Sequence, residues 1–151
     1  MTKVEINGFE HIERLSFRKL FDDPEVEVVA INDLTDAVML AHLLKFDSVQ
    51  GGYGLNHTIT NIENSITVDD VEIPIFKEAD PAKLPWKELD VDIVLECTSF
   101  FTSKKKSQAH VDAGAKKVHL RIFFLREKMI RPCFYTGRLT FLKRAKKKKR
   151  S

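Results

Sequence analysis

The chain has 151 residues, 43% of them hydrophobic, and two cysteines far apart, Cys97 and Cys133. That length fits one domain with a real core, and two distant cysteines argue against a disulfide scaffold and for a reducing, cytoplasmic setting. No apolar run approaches the ~18 residues of a membrane span, so neither a membrane partner nor a secretory leader is expected. The net charge of +3 conceals a split: residues 1–115 hold 11 Lys/Arg against 21 Asp/Glu, and residues 116–151 hold 14 against one.

Residues 3–7 read as a strand with Val4 and Ile6 on its apolar face. A tight turn at Asn7-Gly8-Phe9 leads into a helix over 12–21, with Ile12, Leu15 and Leu20 at inward spacing and Pro24 beyond its end. Val26 to Ile31 is a near-continuous β-branched run, the pattern of a parallel strand buried on both faces, and it ends at Asn32-Asp33. Thr35 is the expected N-cap of a second helix, whose Ala37, Leu40, Leu43 and Leu44 turn inward. This rhythm of strand and helix predicts a right-handed βαβ unit and a parallel sheet. Residues 57–63 and 65–76 read as strands, the second broken at Asp69-Asp70, where a type I′ turn asks for positive φ. Pro81, Pro85 and Trp86 fall in a loop or short helix. Val91 to Cys97 is another apolar strand ending at Thr98, on which Cys97 reads as a buried core thiol. Residues 103–113 suit a helix closed by Ala113-Gly114, and Lys117-Val118 begins the next strand. Strands 3–7, 26–31 and 91–97 are expected at the centre. After Val118 the pattern breaks: Ile122 to Leu125 is apolar without a period, Gly137 is the one turn glycine, and Lys143 to Arg150 is a basic run.

The turn after the first strand is where a dinucleotide's pyrophosphate rests on a helix N-terminus, and the G-x-G-x-x-G pattern would place glycines at 8, 10 and 13. The chain supplies Gly8, then Glu10 and Glu13. The setting of a nucleotide site is present without two of the residues that admit the nucleotide. Glu10 and Glu13 lie three apart on one helical face, which is weak ground for acid–base chemistry. The five histidines, His11, His42, His57, His110 and His119, have no metal-ligand spacing and read as surface or loop residues. Asp33, at the end of a strand, reads as a turn or helix cap. The basic run would contact nucleic acid only electrostatically and without sequence preference.

Val4-Glu5-Ile6-Asn7-Gly8-Phe9, Ala30-Ile31-Asn32-Asp33-Leu34, His42 to Ser48, Glu96 to Thr102 and Ala113 to Val118 together closely resemble the N-terminal NAD-binding domain of the glyceraldehyde-3-phosphate dehydrogenase family. The resemblance is continuous over residues 1–118. It implies an α/β fold with a partial Rossmann-type, doubly wound, mostly parallel sheet. It further implies NAD as cofactor, contacted by Asn7, Gly8, Phe9, His11, Ile12, Asn32, Asp33 and Thr98, with Asp33 on the adenosine ribose and Thr98 lining the cleft. The family oxidises glyceraldehyde 3-phosphate in glycolysis through a cysteine thioester, with hydride transfer to NAD. Its catalytic cysteine and histidine would fall beyond residue 151, so no catalytic residue and no metal ligand is assigned here.

The departures from the family pattern bear on that cofactor. Glu10 and Glu13 replace glycines, His11 an arginine, Ser16 an apolar residue, Gly52 an arginine, Asp70 the hairpin glycine and Ser99 a cleft glycine. The changes of Gly to Glu, Asp and Ser and of Arg to His are each one G-to-A base change away, a bias that fits decay. Back-translating residues 119–122 and 125–132 in shifted frames recovers family-like segments, so residues 119–151 are expected to be a basic tail foreign to the family, translated out of frame. An uninterrupted frame in the parent DNA would refute that. Three roles follow: a non-catalytic remnant binding NAD weakly if at all, a subunit pairing with itself or with full-length family subunits, or a non-enzymatic module acting on nucleic acid through the tail.

Overall fold

The computed structural model describes residues 1–47, 51–98, 104–120 and 133–136. In chain order the elements are β1 (Thr2–Asn7), α1 (His11–Phe21), β2 (Val26–Asn32), α2 (Ala37–Lys45), β3 (Ile59–Ile62), β4 (Ser65–Val68), β5 (Val71–Phe76), β6 (Ile93–Glu96), α3 (Lys104–Asp112), β7 (Lys117–Leu120) and β8 (Cys133–Thr136). Single 3-10 turns stand at Tyr53–Leu55 and Pro81–Lys83.

The strands form one sheet in the order β3-β4-β5-β2-β1-β6-β7-β8. β1 runs parallel to β2 and β6, β2 to β5, and β6 to β7; the pairs β3–β4, β4–β5 and β7–β8 are antiparallel. The expected α/β architecture, a doubly wound sheet with a parallel centre, is the one observed, and β1, β2 and β6 hold the predicted central places. β7 runs two residues past Val118, and β8 pairs beside it, within a segment where the sequence pattern predicts no element. The rest of that segment, with Ile122 to Leu125, Gly137 and the basic run Lys143 to Arg150, lies outside the described residues, as does Ser99.

Period-2 alternation gives the central strands two apolar faces, and each buries its own cluster. Ile6, Ile31, Ile66 and Ile73 pack with Phe9, Phe17, Leu40 and Leu44 beneath α1 and α2. Ala30, Val94 and Val118 pack with Leu84, Trp86, Val91 and the Val111 side of α3 on the other face. Phe17 meets Phe9 edge-on at 5.6 Å between ring centroids.

Three local expectations are corrected. The packed residues of α1 are Glu13, Arg14 and Phe17, while Ile12, Leu15 and Leu20 are only half-buried at its flanks. A charged pair takes the inner position because Arg14 has local partners there: its Nη1 donates to the Phe9 carbonyl at 3.1 Å and its Nε stands 3.9 Å from Asp47 Oδ2. Asp36, not Thr35, caps α2, its Oδ1 accepting from Met39 N at 2.8 Å. Inward residues of α2 are Ala37, Leu40, Ala41 and Leu44, with Leu43 half-buried. The β4–β5 turn is as expected: Asp69 and Asp70 take φ of 48° and 68°, which aspartate tolerates better than most residues.

Candidate functional site

Parallel strands joined by crossovers leave a crevice beyond their C-terminal ends. Here β1, β2, β5 and β6 end around a cleft of about 650 Å³ lined by Asn7, Gly8, Glu10, Asn32, Asp33, Leu34, Glu78, Ala79, Cys97 and Thr98. Gly8 turns the chain from β1 toward α1 with φ +90°, and a Cβ there would stand 3.0 Å from Thr98 Cγ2 and 3.3 Å from Thr98 N. Glycine takes that backbone without strain and leaves that narrow gap unfilled.

The Asp33 carboxylate ties the two strand-to-helix turns together. Its Oδ2 accepts from Phe9 N and its Oδ1 from Thr35 N, both at 2.8 Å. Asn32 donates through Nδ2 to Asn7 Oδ1 at 2.6 Å and to the Glu78 carbonyl at 2.9 Å, and its Oδ1 accepts from Glu78 N at 3.0 Å. That exchange fixes the segment after β5 against β2.

Beneath the cleft, Glu96 gathers donors. Its Oε2 accepts from Asn7 Nδ2 at 2.5 Å and from His110 Nε2 at 2.7 Å. Its Oε1 accepts from Thr98 N at 2.8 Å and from the Thr98 hydroxyl. Trp86 Nε1 donates to His110 Nδ1 at 3.2 Å, so a neutral His110 ring carries its proton on Nε2, facing Glu96. His110 is therefore a fully buried core residue rather than a surface one, held because indole and carboxylate satisfy both ring nitrogens. Glu5 lies two residues before Asn7 on the same sheet face and is fully buried. Neither of its oxygens makes a hydrogen bond. Burial, reinforced by the charge of Glu96 and only partly relieved by the Asn32 backbone, holds its carboxyl well above the usual glutamate range.

Of the residues singled out from sequence, Asn7, Gly8, Asn32, Asp33 and Thr98 meet at the cleft. Phe9 is buried and contributes its backbone N–H to Asp33. His11 is exposed, its Nδ1 accepting from Arg14 Nη2 at 3.0 Å, and Ile12 is half-buried; neither lines the cleft. The two glutamates part company. Glu10 is exposed, lines the cleft at the start of α1 and makes no capping hydrogen bond. Glu13 is 3% exposed on the packed face of the helix. Sequence reasoning missed Leu34, Glu78, Ala79 and Cys97 as lining residues. Cys97 is half-buried at the cleft rather than in the core, because β6 stops at Glu96. Glu78 and Ala79 follow the end of β5, and they join the site because β5 lies parallel beside β2.

The comparisons with known proteins decide the family. Residues 2–104 match the model for glyceraldehyde 3-phosphate dehydrogenase, NAD binding domain. The chain belongs to the glyceraldehyde-3-phosphate dehydrogenase family. It is 59% identical over 118 residues to the glyceraldehyde-3-phosphate dehydrogenase of Clostridium pasteurianum and 57% identical over 118 to that of Clostridium acetobutylicum. Each match covers 78% of this chain and 35% of the relative. Against the Thermotoga maritima enzyme the identity is 52% over 120 residues, again 35% of its length. This chain therefore spans about a third of the dehydrogenases it matches.

The family's cofactor fits one end of the cleft and not the other. Gly8 keeps the approach to β1 open, and Asp33 lines the same cleft at the end of β2. At the start of α1, where a pyrophosphate would rest, the lining offers Glu10, and among the described residues the lining holds Asp33 and Glu78 besides but no Lys, Arg or His. Among the described residues, no helix is long and apolar enough to cross a membrane.

Proposed function

We propose that this chain is a non-catalytic, cytoplasmic form of the family's NAD-binding unit, which binds NAD at millimolar strength or not at all. The Glu10 carboxylate in the cleft carries this reading. A helix N-terminus attracts phosphate through its free N–H groups and its dipole, and a carboxylate at that end takes the place of the anion. At a separation of ~4 Å, repulsion between two unit charges is about 1 kcal/mol in water and about 4 kcal/mol at the dielectric of a protein surface, roughly fivefold to a thousandfold in affinity.

Calorimetric titration with NAD should give a dissociation constant in the millimolar range or no heat, and a micromolar constant would overturn the proposal. Purified chain given glyceraldehyde 3-phosphate, phosphate and NAD should form no NADH. Steady NADH formation by the chain alone would show that it is a working dehydrogenase.

A further inference from the structure

Away from the cleft, the His57 ring stands where three separate segments meet. It stacks on Tyr53 with centroids 4.0 Å apart and is edge-on to Phe21 at 6.2 Å. Its Nδ1 lies 2.5 Å from Asp69 Oδ2 in the β4–β5 turn, and its Nε2 lies 3.6 Å from Asp22 Oδ1 at the end of α1. Two further titratable or charged groups face this cluster. The Tyr53 hydroxyl donates to the same Asp22 oxygen at 3.3 Å, and the Arg18 guanidinium is 5.0 Å from the Tyr53 ring centroid.

An ionised carboxylate only accepts, so the single proton of a neutral ring belongs on Nδ1, toward Asp69. Nε2 then turns a bare lone pair toward Asp22. A second proton, on Nε2, makes that contact attractive. We infer that His57 is a proton-operated tie: its imidazolium joins the end of α1 to the β4–β5 turn through Asp22 and Asp69, and its neutral ring holds the turn alone. The proton is exchanged with solvent, to which the side chain is 18% exposed.

The tie holds the antiparallel meander β3–β4–β5. β5 joins β2 at Ile75 and Phe76, its last two residues, and Pro74 before them has no N–H to lengthen that ladder. Asp69 sits at the other end of β5 and also closes the entry to β3. Its Oδ1 accepts from Thr58 N at 2.8 Å, and its N–H donates to the Thr58 carbonyl at 3.0 Å. The His57 bond first, and the Thr58 amide second, hold the Asp69 carboxyl below the usual aspartate value. Burial first, and the Asp22 charge second, hold the Tyr53 phenol above the usual tyrosine range, so it stays a donor near neutrality. Among these side-chain types, histidine is the one that ordinarily changes charge there.

The test is hydrogen–deuterium exchange of the full chain, read by mass spectrometry at about pH 5.5 and about pH 8, on either side of the ordinary histidine value of about 6.5. Labelling times are scaled for the intrinsic exchange rate, and β2 is the internal reference. Residues 57–76 should be up to about fivefold better protected at the lower pH, the range of a partly exposed ion pair. His57→Gln and Asp22→Asn should each abolish that difference, and added salt should shrink it in the wild type by screening. Both positions are partly solvated, so the variants should fold, which circular dichroism checks. A pH effect on the whole sheet, such as one from buried Glu5, moves β2 as well and persists in both variants. A difference that survives in both variants, one shared equally by β2, greater protection at the higher pH, or no difference in the wild type would each overturn the inference. None of these outcomes touches the cleft, so the weak-NAD reading stands or falls separately.

Discussion

Glu96, at the cleft end of β6, and Glu5, in the middle of β1, share one face of the sheet and are 1% and 0% exposed. Their surroundings differ completely. Around Glu96 the chain places a tryptophan-backed histidine, an asparagine amide, a backbone N–H and a hydroxyl, four donors on two oxygens. Around Glu5 it places Ala30 and Val94 as strand neighbours and, for donors, only the backbone of Asn32, too poorly placed to make a hydrogen bond to either oxygen. Depth of burial alone does not decide what a carboxylate costs. A buried acid is tolerated where donors replace water, and it is a standing penalty where they do not. The cleft inherits both outcomes, because Asn7 is positioned by Glu96 and sits two residues from Glu5.

The largest effect is expected from removing the well-served acid. Glu96→Leu strands Asn7 Nδ2 and the His110 Nε2 proton in a dry site and takes the acceptor from both Thr98 donors at the cleft. Leaving buried donors unpaired around a lost charge costs about 3–5 kcal/mol, a large share of a domain's total stability. Urea unfolding followed by circular dichroism should show a much lower midpoint or a chain already unfolded in buffer. A midpoint like the wild type's would mean that the network contributes specificity without stability.

Removing the unserved acid should do the reverse. Glu5→Ala is expected to raise stability by about 1–3 kcal/mol at neutral pH, less whatever the vacated volume costs. The pH dependence separates those terms. Because the folded pKa of Glu5 lies above its unfolded value, its contribution is intact below an unfolded pKa of about 4.3 and is lost as pH rises through the folded value. The wild type should therefore lose stability on the alkaline side of about pH 4, and Glu5→Ala should lack that slope, with its advantage shrinking in acid. Glu5→Gln, neutral at every pH, should share the flat profile. A wild-type curve parallel to both variants would show that Glu5 is solvated after all.

This contrast was only partly legible in the sequence. β1, β2 and β6 stand out because apolar β-branched runs bounded by Asn-Gly, Asn-Asp and Thr-Ser announce buried parallel strands, and the residues just beyond them, Gly8, Asn32, Asp33 and Thr98, fall at the cleft by the same logic. The α1 face is different. Periodicity turns Ile12, Leu15 and Leu20 inward, whereas Arg14 is drawn in by the Phe9 carbonyl and Asp47, contacts made only once the chain has folded. His110 was hidden for the same reason, its two partners lying 24 and 14 residues away. Glu78 entered the cleft through the placement of β5 beside β2, which is a fact of strand order and not of local pattern. Glu5 resembled an ordinary outward residue of an alternating strand. Its cost appears only when both faces of the sheet are seen to be covered.

A half-exposed acid supplies the weakest limb of the comparison and the opposite sign. Asp92 Oδ1 accepts from Lys116 Nζ at 2.7 Å and its Oδ2 from Lys3 N at 3.0 Å. The Lys116 ammonium first, and the Lys3 amide second, hold its carboxyl below the usual aspartate value. A lowered folded pKa contributes stability above the unfolded value of about 3.9 that disappears as pH falls through the folded one. Asp92→Asn should thus leave the alkaline slope from Glu5 intact while removing part of the acid limb. The change should be smaller than either effect above, because the Lys116 pair is exposed and screened by salt. Unfolding midpoints from about pH 2 to 5 at low and high salt would show it. If the acid limb is unchanged at both salts, exposed donors do nothing for Asp92, and the rule drawn from Glu96 holds only where water is excluded.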